Sequence, residues 1–232
     1  MINILLSRGI LDQDLVYETA KTYIKKEMSV CILAFSFFAE TMTMETYHTF
    51  YRAGGEYYEK MINMFSRYGI TEKQIKWVYY DEVVTNKAKE LIKTADILYF
   101  PGGAPDQMMN RIIEKSLYDV ISSFDKIVIG SSAGAMIQQD FFHISPDAEY
   151  PNFSVHKGLQ YIKDLGIEVH FRRRKIQKKA IRKISAIMRR PLYVIPDDGA
   201  LILTDDKIIT LGTARLYYRN QKRVKSCHLF DI

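Results

Sequence analysis

The sequence predicts an α/β protein, a three-layer αβα sandwich around a mostly parallel β-sheet with antiparallel strands added near the C-terminus. Through the first two-thirds of the 232 residues, apolar runs of strand length alternate with amphipathic helical stretches. The last third changes to short strands separated by Asp, Gly and Asn turns. Strands that alternate with helices at this spacing form parallel sheets covered by helices on both faces. Since no linker or repeat interrupts the pattern, we expect a single domain over residues 1–232.

Each element follows from its local pattern. The early strands are predicted at 2–7, 29–35, 75–80, 96–100 and 126–130, and the late ones at 192–195, 200–203, 207–211 and 223–230. Helices are predicted over 12–26, 45–68, 86–95 and 106–124, from residue 135 onwards, and over the basic stretch 172–190. Gly54 and Gly55 weaken the helix at 45–68, and we expect them to split or kink it.

Composition limits the classes of protein and site that the chain can represent. It is 47% hydrophobic, and a chain of this length buries a core without disulfides. Cys31 lies in an apolar run and is expected to be a core thiol, while its distance from Cys227 indicates neither a disulfide nor a zinc site. No apolar run reaches the roughly 18 residues of a membrane span. The N-terminal "MINILLSRGI" lacks the features of a signal peptide, so we expect a cytoplasmic protein.

The segment "GSSAGAM", residues 130–136, directly follows the predicted strand "KIVI". Two glycines flanking one serine are typical of a nucleophile elbow, in which a sharp strand-to-helix turn exposes the serine Oγ. Ser132 would then stand at the carboxyl end of the sheet, where ligands bind in open parallel sheets. The motif by itself also fits a tight turn without chemistry.

A second glycine-rich corner, Pro101-Gly102-Gly103, ends the preceding predicted strand. If the two strands are neighbours, the backbone N–H groups of Gly103 and Ala133 form the two-donor oxyanion hole that acyl transfer needs. The alternative is a helix-capping loop with Asp106 as the N-cap. Both interpretations can hold together.

The ordered motifs over about residues 95 to 212 resemble a known enzyme family. They are "FPGG", "GSSAGAM", "GLQYIKDLGIEVHF" and "VIPDDGALIL". In this order the set resembles the peptidase E and cyanophycinase family of serine peptidases. The resemblance implies a class I glutamine amidotransferase-like, flavodoxin-like fold and peptide hydrolysis without a metal or other cofactor.

The resemblance also implies roles for individual residues. Ser132 matches the family's nucleophile, His170 its catalytic histidine, and Gly103 and Ala133 its oxyanion donors. Asp197 falls where the family usually has a glutamate that orients the histidine. The roles are chemically consistent, because a serine needs a base within hydrogen-bond reach and the base needs an orienting acceptor.

The sequence leaves open which acid orients His170 and whether this histidine is catalytic. An aspartate is one methylene shorter than a glutamate, so the carboxylate of Asp197 reaches His170 only if the backbone approaches; Asp198 is the alternative acid. Without the resemblance, His170 would be interpreted as a strand histidine satisfied in the core. The remaining histidines are interpreted as structural: His48, His143, His156 and His228. Of these, His143 is expected in an apolar loop segment and His228 in the final strand.

The net charge of +6 is concentrated in residues 172–190, which hold ten Lys and Arg and no acid. Arg174 lies four residues after His170, where the resemblance implies an arginine for an acidic substrate, and an arginine can hold a carboxylate bidentately. Arg172 and Arg173 either add to that field or face water. Isoleucines recur among the charges, so most of the run is interpreted as a solvated helix face.

We therefore hypothesise a serine peptidase that hydrolyses short peptides with an acidic residue at the scissile bond through a Ser-His-Asp triad and an acyl-enzyme. One alternative is a catalytically degenerate relative that acts as a binding protein. Another is a cyanophycinase-like hydrolase of an Asp-containing polymer. The basic stretch also suits phosphate neutralisation, but no nucleic-acid motif accompanies it. We expect a small peptide as partner, with no cofactor, nucleic acid or membrane; monomer and homodimer both remain open.

Overall fold

A central sheet of seven strands forms the framework of the protein, which a computed structural model describes over residues 1–82, 84–219 and 222–223. In chain order the helices and strands are β1 Ile2–Leu6, α1 Asp14–Ala20, β2 Val30–Ala34, α2 Met44–Tyr51, α3 Glu56–Ser66, β3 Ile75–Tyr79, α4 Thr85–Thr94, β4 Ile97–Phe100, α5 Pro105–Glu114, α6 Tyr118–Ser122, β5 Ile127–Ser131, α7 Ala133–Met136, β6 Phe141–Ile144, β7 Ser154–Lys157, β8 Gly166–Val169, α8 Lys175–Met188, β9 Leu192–Ile195, β10 Ala200–Leu203, β11 Ile208–Leu211, β12 Arg215–Arg219 and β13 Lys222–Arg223.

The central sheet has the strand order β11-β10-β1-β5-β4-β2-β3. The five strands from β1 to β3 in this order are parallel, and β10 and β11 add to the β1 edge in antiparallel orientation. This confirms the predicted sheet. The neighbours β4 and β5 pair with Phe100 opposite Gly130, so the glycine-rich corners that follow them lie at the same edge.

Helices cover both faces of this sheet, which gives the predicted three layers. Strand β2 shows how side chains alternate between the two faces of the sheet. Ile32 packs with α1 and α3, while Cys31 and Leu33 pack with α4 to α7. Cys31 is fully buried and has no disulfide partner within the described residues, which confirms the predicted core thiol.

A second sheet, of order β13-β12-β9-β8, packs against α8. The predicted late antiparallel strands are confirmed for β10 to β13, whereas β9 pairs antiparallel with β12 on one side and, against the prediction, parallel with β8 on the other. The chain between them passes through α8, and such a crossover returns it in the same direction. Strands β6 and β7 form a separate antiparallel pair. Of the strand predicted at 223–230, only Arg223 is described, so His228 and Cys227 lie outside the described residues.

Several helices are shorter than the sequence predicts. The stretch 45–68 divides into α2 and α3, because Gly54 adopts a φ of +82° and a Cβ on Gly55 would lie 2.5 Å from the carbonyl oxygen of Thr49. Similarly, the stretch 106–124 divides where Ser116 has a φ of +55°. The first helix ends at Ala20, and the helix expected from residue 135 is the single turn α7.

Asp106 is not the N-cap of α5, as the capping alternative required. The N-cap is Ala104, because Pro105 occupies the first turn, where its fixed φ favours the helix. The carboxylate of Asp106 instead accepts a hydrogen bond of 2.5 Å from the hydroxyl of Tyr150. Among the described residues, no helix is both long enough and apolar enough to cross a membrane.

Candidate active site

The carboxyl ends of two pairs of parallel strands meet at one place. Ser7 follows β1 and Ser132 follows β5 in the central sheet, while His170 follows β8 and Asp197 lies two residues after β9 in the second sheet. The N–H of Ser132 donates to the carbonyl of Leu6 at 2.8 Å, which joins the ends of β1 and β5. Both sheets therefore contribute to the site.

Ser132 occupies the sharp corner that its glycine neighbours predicted. Its φ of +49° and ψ of −110° lie outside the regions that L-residues favour, so the corner is strained. A Cβ on Gly130 would lie 2.1 Å from the carbonyl oxygen of Gly134, and one on Gly134 would lie 2.0 Å from that of Phe100. Only glycine at these positions lets the chain turn this closely against β4.

A continuous hydrogen-bond chain links Ser132, His170 and Asp197. The Oγ of Ser132 lies 2.9 Å from Nε2 of His170, and Nδ1 of His170 lies 2.6 Å from Oδ1 of Asp197. Because a carboxylate only accepts, Nδ1 carries the proton and Nε2 is free to accept from the serine hydroxyl. The carboxylate of Asp197 thus reaches the imidazole. Asp198 accepts from Thr213 instead.

The backbone of His170 is held in the left-handed region, with a φ of +51°. Its N–H donates to Oγ of Ser7 at 2.7 Å, and its carbonyl accepts from Nε2 of Gln177 at 2.9 Å. These two hydrogen bonds stabilise a conformation that non-glycine residues rarely adopt. Neither Ser7 nor Gln177 belongs to a sequence motif that predicts this site; the available signal for Ser7 is its position after a parallel strand at the same sheet edge as Ser132.

The carboxylate of Asp197 is surrounded by cations. Its Oδ2 accepts from Nη2 of Arg172 at 2.8 Å, and Nη2 of Arg8 lies 3.1 Å away. Partial burial raises the pKa of Asp197, but the hydrogen bonds from His170 and Arg172 and the nearby charges outweigh it and lower this pKa to about 2. Asp197 is therefore ionised at neutral pH. Arg172, whose position the sequence left open, faces this acid rather than only water.

The second glycine-rich corner lies against the elbow. A Cβ on Gly102 would lie 3.3 Å from Cβ of Ser132, and Gly103, with a φ of +141°, borders the same cavity as Ser132. Ala133 is the first residue of α7, so its N–H has no intrahelical acceptor. Across the described part of the chain, neither the N–H of Gly103 nor that of Ala133 has a backbone or side-chain acceptor.

A cavity of about 530 Å³ opens beside Ser132 and His170. Arg172 and Arg174 line it at the start of α8, and Arg174 is exposed there as the N-cap of that helix. Residues of the segment 144–150, including Tyr150, also line this cavity. Within the ranges that the structure describes, the guanidinium of Arg174 makes no hydrogen bond or ion pair, so it is available to a ligand.

A family model described as peptidase family S51 matches residues 47–211. The chain belongs to peptidase family S51. This confirms the resemblance drawn from the motifs. The family match also extends to residues 47–94, which precede the first of those motifs. Membership in the family makes the protein a peptidase of the serine class. No curated protein matches the chain significantly.

Two solved structures share the S51 chain's fold. A candidate peptidase E protein from Listeria monocytogenes EGD-e is 16% identical, with a TM-score of 0.65 over 97% of this chain and 98% of its own. A peptidase from an acI-B1 Actinobacterium is 18% identical, with a TM-score of 0.66 over 93% of this chain and 89% of its own. At this level of identity the likeness demonstrates the common fold.

A buried, hydrogen-bonded pair of side chains lies in the wall of the S51 chain's cavity. Nε2 of His143 lies 2.6 Å from Oε2 of Glu168, and the hydroxyl of Ser145 donates to both oxygens of Glu168, at 2.8 and 2.9 Å. His143 belongs to strand β6, so its prediction as a loop residue is wrong; its ring and Glu168 are both buried. The pair ties β6 to β8 just before His170.

The other described histidines make local contacts away from Ser132. His48 pairs with Asp81 at the surface, and His156 stacks on Phe142. Over residues 1–82, 84–219 and 222–223, no three His, Cys, Asp or Glu side chains lie close enough together to hold a metal ion.

Proposed function

We propose that this S51 peptidase hydrolyses short peptides through a Ser132–His170–Asp197 triad, with an acidic residue at the scissile bond. The observation that carries the proposal is the hydrogen-bond chain from Oγ of Ser132 to Oδ1 of Asp197, which borders a cavity containing two arginines. A connected nucleophile, base and orienting acid is the arrangement that acyl transfer requires. It also favours an active enzyme over a degenerate binding protein.

In the proposed mechanism, Oγ of Ser132 attacks the peptide carbonyl carbon while its proton passes to Nε2 of His170. The N–H groups of Gly103 and Ala133 stabilise the oxyanion. The C–N bond then breaks as His170 protonates the leaving amine, which leaves an ester on Ser132. Water attacks this ester, again with His170 as base, and releases the acid. Asp197 keeps the imidazole oriented and stabilises its protonated form.

Substrate choice in the proposal depends on charge and on the size of the cavity. Arg174 is exposed at the cavity, and a guanidinium can form two parallel hydrogen bonds to a side-chain carboxylate. A cavity of about 530 Å³ accommodates a dipeptide or a slightly longer peptide. We therefore propose exopeptidase action on short acidic peptides.

The test compares hydrolysis of Asp, Glu, Ala and Lys dipeptide amides by the wild type and three variants. Ser132→Ala should lower kcat by about 10⁴-fold or more. Arg174→Gln should raise KM for the acidic members about 10-fold or more and leave that of the Ala member unchanged. Arg173→Gln is the matched control, since Arg173 is an exposed neighbour without a partner in the described residues. Equal hydrolysis by wild type and Ser132→Ala would contradict the proposed nucleophile.

A further inference from the structure

The oxygen of Asp197 that does not face His170 is held by arginines from two different loops. Arg172 donates to Oδ2 at 2.8 Å from the β8–α8 connection, and Arg8 reaches the same atom at 3.1 Å from the β1–α1 connection. With Oδ1 bound to His170, both oxygens are fixed. The side chains of Arg172 and Arg8 are 50% and 55% exposed, so the pairs contribute little to stability, and their main consequence is the orientation of the carboxylate.

Gln177 joins Arg172 and His170 into one unit. Its Oε1 accepts from the N–H of Arg172 at 2.9 Å, and its Nε2 donates to the carbonyl of His170 at 2.9 Å. Gln177 is buried in the first turn of α8, and both ends of its amide are used. Through the amide of Gln177, the backbone of Arg172 is therefore held in a fixed position relative to the backbone of His170.

We propose that Arg172, assisted by Arg8, is a positioning residue that holds Asp197 in the orientation His170 requires for catalysis. This inference rests on the proposed function, because an oriented acid matters only if Ser132 and His170 perform the chemistry. A single hydrogen bond to an imidazole leaves the carboxylate free to rotate about its Cβ–Cγ bond. A guanidinium bound to the other oxygen removes that rotation, and its planar donors suit the task better than an ammonium.

The same arginines place positive charge close to the imidazole of His170. Within the described residues, the charged and titratable groups that contact this imidazole or its acid, or line the cavity beside it, are Arg8, Arg172, Arg174, Asp197, the cavity-wall residues Asp147 and Glu149 and, from β6 and β8, the His143–Glu168 pair. A positive charge near the imidazole opposes its protonated form. Because Arg172→Gln removes one of these positive charges, we expect the acid limb of its rate–pH profile to lie at higher pH than that of the wild type.

The test measures how fast an uncharged sulfonyl fluoride inactivates the full chain as a function of pH. In this reaction Oγ of Ser132 bonds to sulfur, fluoride leaves, and the proton passes to His170, so no acidic substrate is involved. We expect Arg172→Gln to lower the limiting rate about 10-fold or more and to move the acid limb upward by about 0.5 pH unit. Arg172→Lys should restore the position of the limb but only part of the rate, since it keeps the charge without the fork.

Four further measurements separate the possible outcomes. Arg173→Gln, the neighbouring control, should match the wild type in rate and pH profile, and thermal unfolding should show that every variant is folded. Wild-type rate and profile in a folded Arg172→Gln, alongside slow labelling of Asp197→Asn, would overturn the positioning role while the proposed function stands. A wild type that mass spectrometry finds unlabelled at Ser132 would overturn both.

Discussion

Asp197 lies 2.6 Å from His170 through Oδ1 and Nδ1, and its other oxygen lies 2.8 Å from Arg172. The carboxylate of Asp197 is thus bound on both sides, by the imidazole of the proposed base and by the guanidinium of Arg172. His170 follows β8, Asp197 follows β9, and Arg172 lies in the β8–α8 connection. We therefore expect a change in any of these three segments to alter the two contacts.

Replacing Ser132 by glycine should abolish activity but relieve the strained backbone at this corner. Both Ser132→Ala and Ser132→Gly should abolish hydrolysis, but the glycine variant relieves a backbone with φ +49° and ψ −110°. We expect Ser132→Gly to be at least as stable as Ser132→Ala in urea unfolding, because relief of about 1–3 kcal/mol of strain offsets the extra chain entropy. A glycine variant clearly less stable than the alanine variant would contradict a strained corner.

Gly103→Ala should impair both folding and activity. A Cβ at this position would lie 1.9 Å from the carbonyl oxygen of Ser36, and φ is +141°. The loop must then move, which displaces the proposed oxyanion donor, and we expect kcat to fall about 100-fold. Gly166→Ala is the control, because a Cβ there meets its nearest neighbour at an ordinary 3.6 Å. Similar kinetics and melting temperatures for the two variants would exclude the steric argument.

Asp197 should make stability depend on pH in the acid range. Its pKa is lowered to about 2, so its contribution is present above the ordinary value near 4 and is lost as pH falls through about 2. Asp197→Asn should therefore be less stable than the wild type at pH 7 by at most about 2 kcal/mol. Urea unfolding at several pH values checks this, and a stability difference that does not shrink below about pH 4 would refute it.

The buried pair of His143 and Glu168 should be more important for stability than for chemistry. Glu168→Ala leaves the His143 ring and the Ser145 hydroxyl without their buried acceptor, and we expect a loss of about 3 kcal/mol. Glu149→Ala removes an exposed carboxylate from the same cavity wall and should cost under about 0.5 kcal/mol. Equal unfolding free energies for both variants would show that the pair contributes nothing to the fold.

Cys31 should resist thiol reagents in the native protein. Burial raises its pKa to about 12, and the side chain is inaccessible. In a Cys227→Ser background, which leaves one thiol, labelling by an aromatic disulfide should be undetectable natively and complete in denaturant. Rapid labelling of the native protein would show that β2 opens readily.

The amino-acid sequence alone determined the parallel framework and the elbow. Apolar runs of strand length fix which segments enter the sheet, and the glycines around Ser132 fix where the chain turns, because both depend on neighbouring residues. The family motifs, rather than any local pattern, selected His170 and Asp197, since one histidine in a strand-like segment has no signal of its own.

Only the tertiary structure decided how these residues meet. Ser7 and Arg8 lie more than 160 residues before His170 in the chain, yet they contact the histidine and its acid. Tertiary packing likewise sets the second sheet, the parallel direction of β9 and the contacts of Arg172 and Gln177. Hydropathy and turn patterns specify each strand but not its partner, so contacts between distant strand ends are determined by packing.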